Sequence, residues 1–315
     1  MIASMGGFLS DIVSSKTMYE SVVRFAVVLA FAATGEWVAE RAGTLNISVQ
    51  AMMIGGAFTG GVVFTKTDGN IVLGLVAAAV AGLIVALVQA NLSHRWTIDQ
   101  FVVGLTLNVL VLGLALFLNG QYKPTTKIAS AWKIPGLVKL PWIGTALFGQ
   151  PWPMYLIVPL VVGAWFAVFR TTWGLEVRAS GENPQAADVS GIHVNKRRRQ
   201  AIGVAGLCSG LGGGVLVLGQ IGLSGYNEGI VGLRGIVAIA AVIFGGWTLR
   251  GTIAGCFVFG YFYAFQLVLP ILQYEVNPQL AAALPYLVAL GATAVFAHRT
   301  SQPGALAQPF IRGLT

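Results

Sequence analysis

The chain has 315 residues, of which 56% are hydrophobic and only 10% charged, with a formal net charge of +8. A soluble domain carries about 25% charged residues, so there is too little charge here to coat a water-facing surface. The positive balance gives no reason to expect a nucleic-acid partner. Basic residues are scattered between apolar blocks, and the one tight cluster, Lys196 to Arg199, immediately precedes a block, the place of a positive-inside anchor.

The first 15 residues contain no basic side chain and include Asp11, which predicts no cleavable signal. Nine apolar blocks follow: Val22–Val38, Ile47–Thr65, Ile71–Ala90, Phe101–Leu118, Pro153–Phe169, Ala201–Leu223, Ile236–Trp247, Thr252–Leu272 and Leu280–Ala297. Most approach the roughly 20 residues that cross a bilayer as helix; Ile236–Trp247 is too short to cross unless residues 230–235 join it. The reading is an all-α polytopic membrane protein with about 8–10 transmembrane helices. It forms a single domain over residues 1–315, in two pseudo-symmetric halves with broken or re-entrant segments.

Basic residues orient it. The connection 171–200 holds Arg178 and the Lys196–Arg199 cluster, which puts it in the cytoplasm. Alternation then puts Arg95, Arg250, Arg299 and Arg312 inside as well, with one later block re-entering. It puts residues 119–152 outside, although Lys123, Lys127, Lys133 and Lys139 oppose the rule there. That loop is rich in Pro, Gly and Trp, as suits a folded cap able to touch another protein.

Two glycine-bounded stretches read as broken helices, Gly43 to Gly56 and Gly232 to Gly246, a pairing that points to repeat architecture around a central pathway. Asn46 and Gln50 follow the Gly43 break four residues apart and are pathway candidates. Asn108 either lines the pathway or bonds a neighbouring helix. Phe58, Phe101, Phe244 and the Tyr261–Phe265 aromatics suit packing better than stacking on a base. Gly206, Gly210 and Gly214 repeat every fourth residue, a close-packing seam. Cys208 and Cys256 read as buried small hydrophobes.

No soluble chemistry is written in the chain. A G-x-x-x-x-G-K-[ST] phosphate loop is absent, and His94, His193 and His298 lie far apart in or beside hydrophilic connections, so neither a metal site nor a catalytic residue is expected. Ionisable groups in the blocks are few, with Arg24, Glu36, Glu40 and Arg41 clustered near the first. This argues for an energy source outside the polypeptide. In residues 173–192, Asn183 can cap a short helix with Pro184 at its first position. Gln185 to Asp188 continue it and Gly191 can stop it, giving two turns between two spans.

That stretch resembles the cytoplasmic loop of the ABC-importer permeases for nucleosides, simple sugars and branched-chain amino acids. There, a G-E-N-P-x-A-A-x-x-x-G-I run forms the coupling helix that sits in a groove of the ATPase subunit. The match falls on Gly181, Glu182, Asn183, Pro184, Ala186, Ala187, Gly191 and Ile192, with Asp188 inside the run. Residues 40–47 are similar to the E-R-x-G-x-x-N-I signature of the nucleoside branch, 99–108 to its D-Q-x-x-x-G-x-x-x-N segment, and 238–246 to its A-x-A-A-V-I-F-G stretch. The branch often reads N-I-G-x-E-G-M-M where this chain has Asn46 to Met53, so Gln50 replaces a carboxylate and Ser48 and Ala51 replace glycines.

The resemblance implies a non-enzymatic, cofactor-free translocator for nucleosides in the bacterial cytoplasmic (inner) membrane, with sugars or branched-chain amino acids as alternatives. Its implied partners are an ABC ATPase subunit, a second permease subunit, an extracytoplasmic substrate-binding protein and membrane lipid. An ion-coupled secondary transporter is the rival class, and a channel or membrane scaffold the more distant one.

Overall fold

A computed structural model describes residues 15–133, 135–140, 144–271, 277–296 and 302–312. Arg299 and His298 lie outside the described residues. Twelve helices occur among those described: α1 (Lys16–Arg41), α2 (Val49–Lys66), α3 (Ile71–His94), α4 (Gln100–Tyr122), α5 (Gly144–Phe148), α6 (Ile157–Arg170), α7 (Thr172–Glu182), α8 (Pro184–Val189), α9 (Val194–Val215), α10 (Arg234–Phe244), α11 (Leu249–Ile271) and α12 (Pro278–Phe296).

Small polar residues decide where several of these begin. Asn70 accepts from Leu73 N at 3.1 Å, Asp99 from Phe101 N and Val102 N at 2.9 and 3.0 Å, and Thr171 from Gly174 N at 3.1 Å. Each pairs first-turn N–H groups that have no intrahelical acceptor. Where described, each of the nine apolar blocks lies mainly on helix. Among the described residues, six segments are long and apolar enough to cross a bilayer: Lys16–Arg41, Ile71–His94, Gln100–Tyr122, Trp152–Arg170, Val194–Gln220 and Leu249–Leu269. Helix α10, with 11 residues, is about 16 Å long and cannot cross alone.

Helices α1 and α9 form the centre. Their apolar windows are 89% and 83% buried, against 17% for Trp152–Arg170 and 28% for α3 and α4, whose outer faces expose residues such as Val109 and Phe117. The α9 glycines pack against α3 as their spacing predicts. A Cβ on Gly210 would stand 3.0 Å from Gly82 Cα, and one on Gly214 would stand 2.7 Å from Ala78 Cβ. Cys208 and Cys256 are buried free thiols.

The helix ends gather at two poles. At one, the end of α2 meets residues 124–126 and 217–225: Thr126 Oγ1 donates to Val217 O (2.7 Å) and Thr126 N to Leu223 O (2.9 Å). At the other, the ends of α1 and α7, the start of α9 and residues 303–312 converge. One expectation is corrected here. Arg198 is no simple anchor ahead of a span: it lies within α9, fully buried, because backbone carbonyls from three other segments surround its guanidinium. His94, expected in or beside a hydrophilic connection, is the last residue of α3, beside residues 95–99, and is buried with Nε2 3.0 Å from Thr44 Oγ1.

Candidate functional site

Residues 42–48 leave the helix after α1 and fold back along it. Gly43 makes the turn at φ +83°, where a Cβ would stand 2.9 Å from Arg198 Nη2 and 3.0 Å from Gly181 Cα. Thr44 N donates to Ala39 O at 3.1 Å and Asn46 N to Glu36 Oε1 at 3.1 Å. Asn46 therefore precedes α2, and its four-residue spacing from Gln50 gives no shared helical face. Its Oδ1 accepts from Ser48 Oγ at 2.9 Å.

Asn108 reaches this break from α4. Its Oδ1 accepts from Ala51 N at 2.8 Å and its Nδ2 donates to Ile47 O at 3.0 Å, so one amide holds the first turn of α2 and the turn before it. Gln50 reaches the other way. Its Nε2 donates to Gly232 O, and its Oε1 accepts from Gly235 N at 2.8 Å. One side chain thus ties the start of α2 to the start of α10. An amide can serve both partners at once, whereas an ionised carboxylate can only accept. At position 50 it would leave the Gly232 carbonyl without this donor.

All three sequence-predicted pathway residues therefore meet at the first break, two directly and Gln50 as its link to the second. Sequence reasoning missed the carboxylates that support them. Glu36 and Glu40 are fully buried within α1. Glu40 accepts from Trp247 Nε1, and Trp37 Nε1 donates to Trp247 O at 2.8 Å. Their clustering was visible, but a partner some 207 residues away leaves no local signal.

The second group of predicted residues lies at the Arg198 pole. Asn183 Oδ1 caps α8 by accepting from Ala186 N at 3.0 Å, Pro184 takes the first position, and Gly191 ends the turn at φ +87°. Gly181 lies so close to Arg41 O that no larger residue fits. Glu182 Oε2 accepts from Gly304 N at 3.3 Å, and Asp188 pairs with Arg312 at 3.2 Å. Ala187 turns inward against Val194 and Phe310. The outward face of α8 is Gln185, Ala186 and Val189, the last 90% exposed.

Residues 303–312 bind this pole together. Ala305 N donates to Gly181 O at 2.9 Å and Ala307 N to Gly43 O at 3.1 Å. Arg198 donates to Ala42 O (3.1 Å), Ser180 O (3.3 Å), Ala305 O (3.4 Å) and Gln308 O (2.6 Å). Bonds therefore run from α8 through the tail and Gly43 to the first break. No group of three or more potential metal ligands occurs among the described residues.

The profile of the family described as "Branched-chain amino acid transport system / permease component" matches residues 18–293. A guanosine ABC transporter permease of Bacillus subtilis is 34% identical over 92% of this chain and 94% of its own length. A putative glucose ABC transporter permease of Haloferax volcanii is 32% identical over 94% and 97%, and a nucleoside ABC transporter permease of Lactococcus lactis 28% over 89% and 92%. Among solved structures, PsaBC from Streptococcus pneumoniae in complex with Fab aligns over 95% of this chain and 100% of its own, with TM-score 0.52 and 14% identity. That last likeness concerns the fold alone.

Proposed function

We infer that this chain, which belongs to the permease-component family of branched-chain amino acid transport systems, moves nucleosides across the cytoplasmic membrane of a bacterium. It is a multi-pass, non-catalytic translocation subunit of an ABC importer. ATP hydrolysis, on this reading, belongs to an ATPase subunit docked on α8. A second permease subunit and an extracytoplasmic binding protein complete the assembly.

The observation that carries the reading is α8 itself. A short capped helix stands at one pole with Val189 90% exposed, and the tail and Arg198 bond its base to the first break. A short helix capped and held out in this way, with Gln185, Ala186 and Val189 on its open face, suits docking on a protein partner. The α8 pole is then cytoplasmic and the Thr126 pole external, with residues 123–152 part of the cap. Movement of α8 would reach Gln50 and shift the two helix starts that it joins. Such a shift transports a ligand only if the two states bind it differently.

Nucleosides are preferred to sugars for two reasons. Two of the relatives named above carry nucleosides by name, one of them at 34% identity. The predicted pathway residues Asn46, Gln50 and Asn108 are neutral amides, suited to an uncharged hydrogen-bonding solute.

The test is uptake by the complete importer in proteoliposomes, offered guanosine, uridine, glucose and leucine in turn. Saturable nucleoside uptake that requires ATP is expected. Glucose or leucine uptake with nucleosides excluded would overturn the substrate. Uptake that ignores ATP and collapses with an ion gradient would overturn the coupling.

A further inference from the structure

Beside the Gln50 tie, at the head of α10, Arg234 lies over two aromatic rings. Its guanidinium carbon is 5.5 Å from the Phe25 ring centre and 5.8 Å from that of Tyr263. The rings stack on each other, 5.5 Å apart and 15° from parallel. Tyr286 of α12 meets Tyr263 edge-on at 6.3 Å, with the two hydroxyls 3.2 Å apart. These side chains line a cavity of about 270 Å³, together with Gln266, Leu267 and residues 229 and 231–233.

The arrangement does more than fill space. Nη1 of Arg234 donates to Ile230 O at 2.6 Å and Val231 O at 3.0 Å, which closes the turn before α10. Its Nε is buried with no hydrogen-bond partner among the described residues. Among the described residues no carboxylate lines the cavity, and the charge they present to it is that of the guanidinium. A buried cationic side chain among the apolar helices of a membrane protein is a functional-site candidate.

The chemistry on the walls selects the occupant. Ring faces and a guanidinium plane are surfaces on which a flat heterocycle stacks. The two phenol hydroxyls and the Gln266 amide can each donate and accept, and the arginine donates. A sugar can lay only C–H groups on the rings, and a branched-chain amino acid, although its carboxylate could meet the arginine, has no planar ring to stack. The volume falls just below the roughly 300–1,000 Å³ of sites for drug-sized ligands, which admits a nucleobase with its sugar and little more.

We propose that this cavity holds the base of a nucleoside in transit, stacked against Phe25 and Tyr263 and accepting a hydrogen bond from Arg234. The inference rests on the nucleoside reading above. It gives Gln50 a positioning role, since the Gly232 carbonyl that Gln50 holds belongs to a residue of the cavity wall.

The test uses the wild-type permease assembled with its ATPase in lipid nanodiscs, photolabelled with 8-azidoadenosine and mapped by mass spectrometry. Adducts are expected on peptides containing Phe25, Tyr263 or Tyr286, suppressed by excess adenosine and unaffected by ribose. In proteoliposomes, Phe25→Leu and Tyr263→Leu should each lower nucleoside uptake at least about tenfold, as loss of a stacking face predicts. Tyr263→Phe should stay within about threefold of wild type. Label elsewhere on the chain, or wild-type uptake by both leucine variants, overturns the cavity and leaves the nucleoside reading standing. Glucose import by the wild type with nucleosides excluded overturns both.

Discussion

The two interruptions of the helical framework are built to opposite rules. Residues 42–48 are buried except for partial exposure at Leu45 and Ile47, and bonds from Glu36, Asn108 and Gln100 hold their backbone. Residues 221–233 expose Gly222, Ser224, Asn227, Glu228, Gly229 and Leu233, and they adjoin an aromatic cavity. A buried break bonded from several neighbouring elements is a fixed joint. One with exposed backbone and an adjacent space belongs to the low-stability end of the molecule, from which moving elements are drawn. Gln50 connects the fixed joint to the movable one.

The largest effect should come from the fixed break. Gly43→Val forces a β-branched residue to φ +83° and drives its Cβ against Arg198, Gly181 and Ala305. The strain and the collisions together should exceed about 3 kcal/mol, and size-exclusion chromatography should then recover almost no assembled complex. Normal recovery would mean that the first break is as yielding as the second.

Cutting the link should act on transport and spare assembly. Gln50→Leu removes partners from Gly232 and Gly235 and should lower uptake at least about tenfold, roughly 1.4 kcal/mol in the barrier. Gln50→Glu keeps an acceptor for Gly235 and loses the donor to Gly232, so its uptake should lie between the two. Equal uptake by all three proteins would make the tie dispensable.

Smaller effects sharpen the contrast. Asn108→Ala removes the cap on α2 and should cost about 1–2 kcal/mol of stability, read as a lowered melting temperature of the purified complex. Glu228→Gln, on the exposed second break, should change stability by less than about 0.5 kcal/mol. A larger loss there than at Asn108 would reverse the assignment of fixed and movable joints.

How far the sequence reveals these features depends on the range of the interactions. Asn183 with Pro184 caps and starts α8 within four residues, and the α9 glycines lie on one face by spacing alone, so both are legible. The inward turn of Ala187 is not, because Phe310 creates it from 123 positions away. Arg198 reads as part of a basic cluster until the carbonyls of Ala42, Ser180, Ala305 and Gln308 close around it. Gln50 stands out as a polar residue beside a break, while its partners at Gly232 and Gly235 leave no mark nearby. Tyr263 belongs to an aromatic run read as packing, and only the fold brings Phe25 and Arg234 to it.

The central claim is that energy enters at α8 and travels through the tail and Gly43 to the breaks. It is tested most directly by nucleoside-stimulated ATP hydrolysis of the complete importer carrying Val189→Asp. That residue is 90% exposed and far from the buried side of α8, so the permease itself should fold and melt as wild type. The account predicts that stimulation falls at least about tenfold, because the change places a charge in a face that the ATPase would cover. Wild-type stimulation in a complex of normal composition would contradict it.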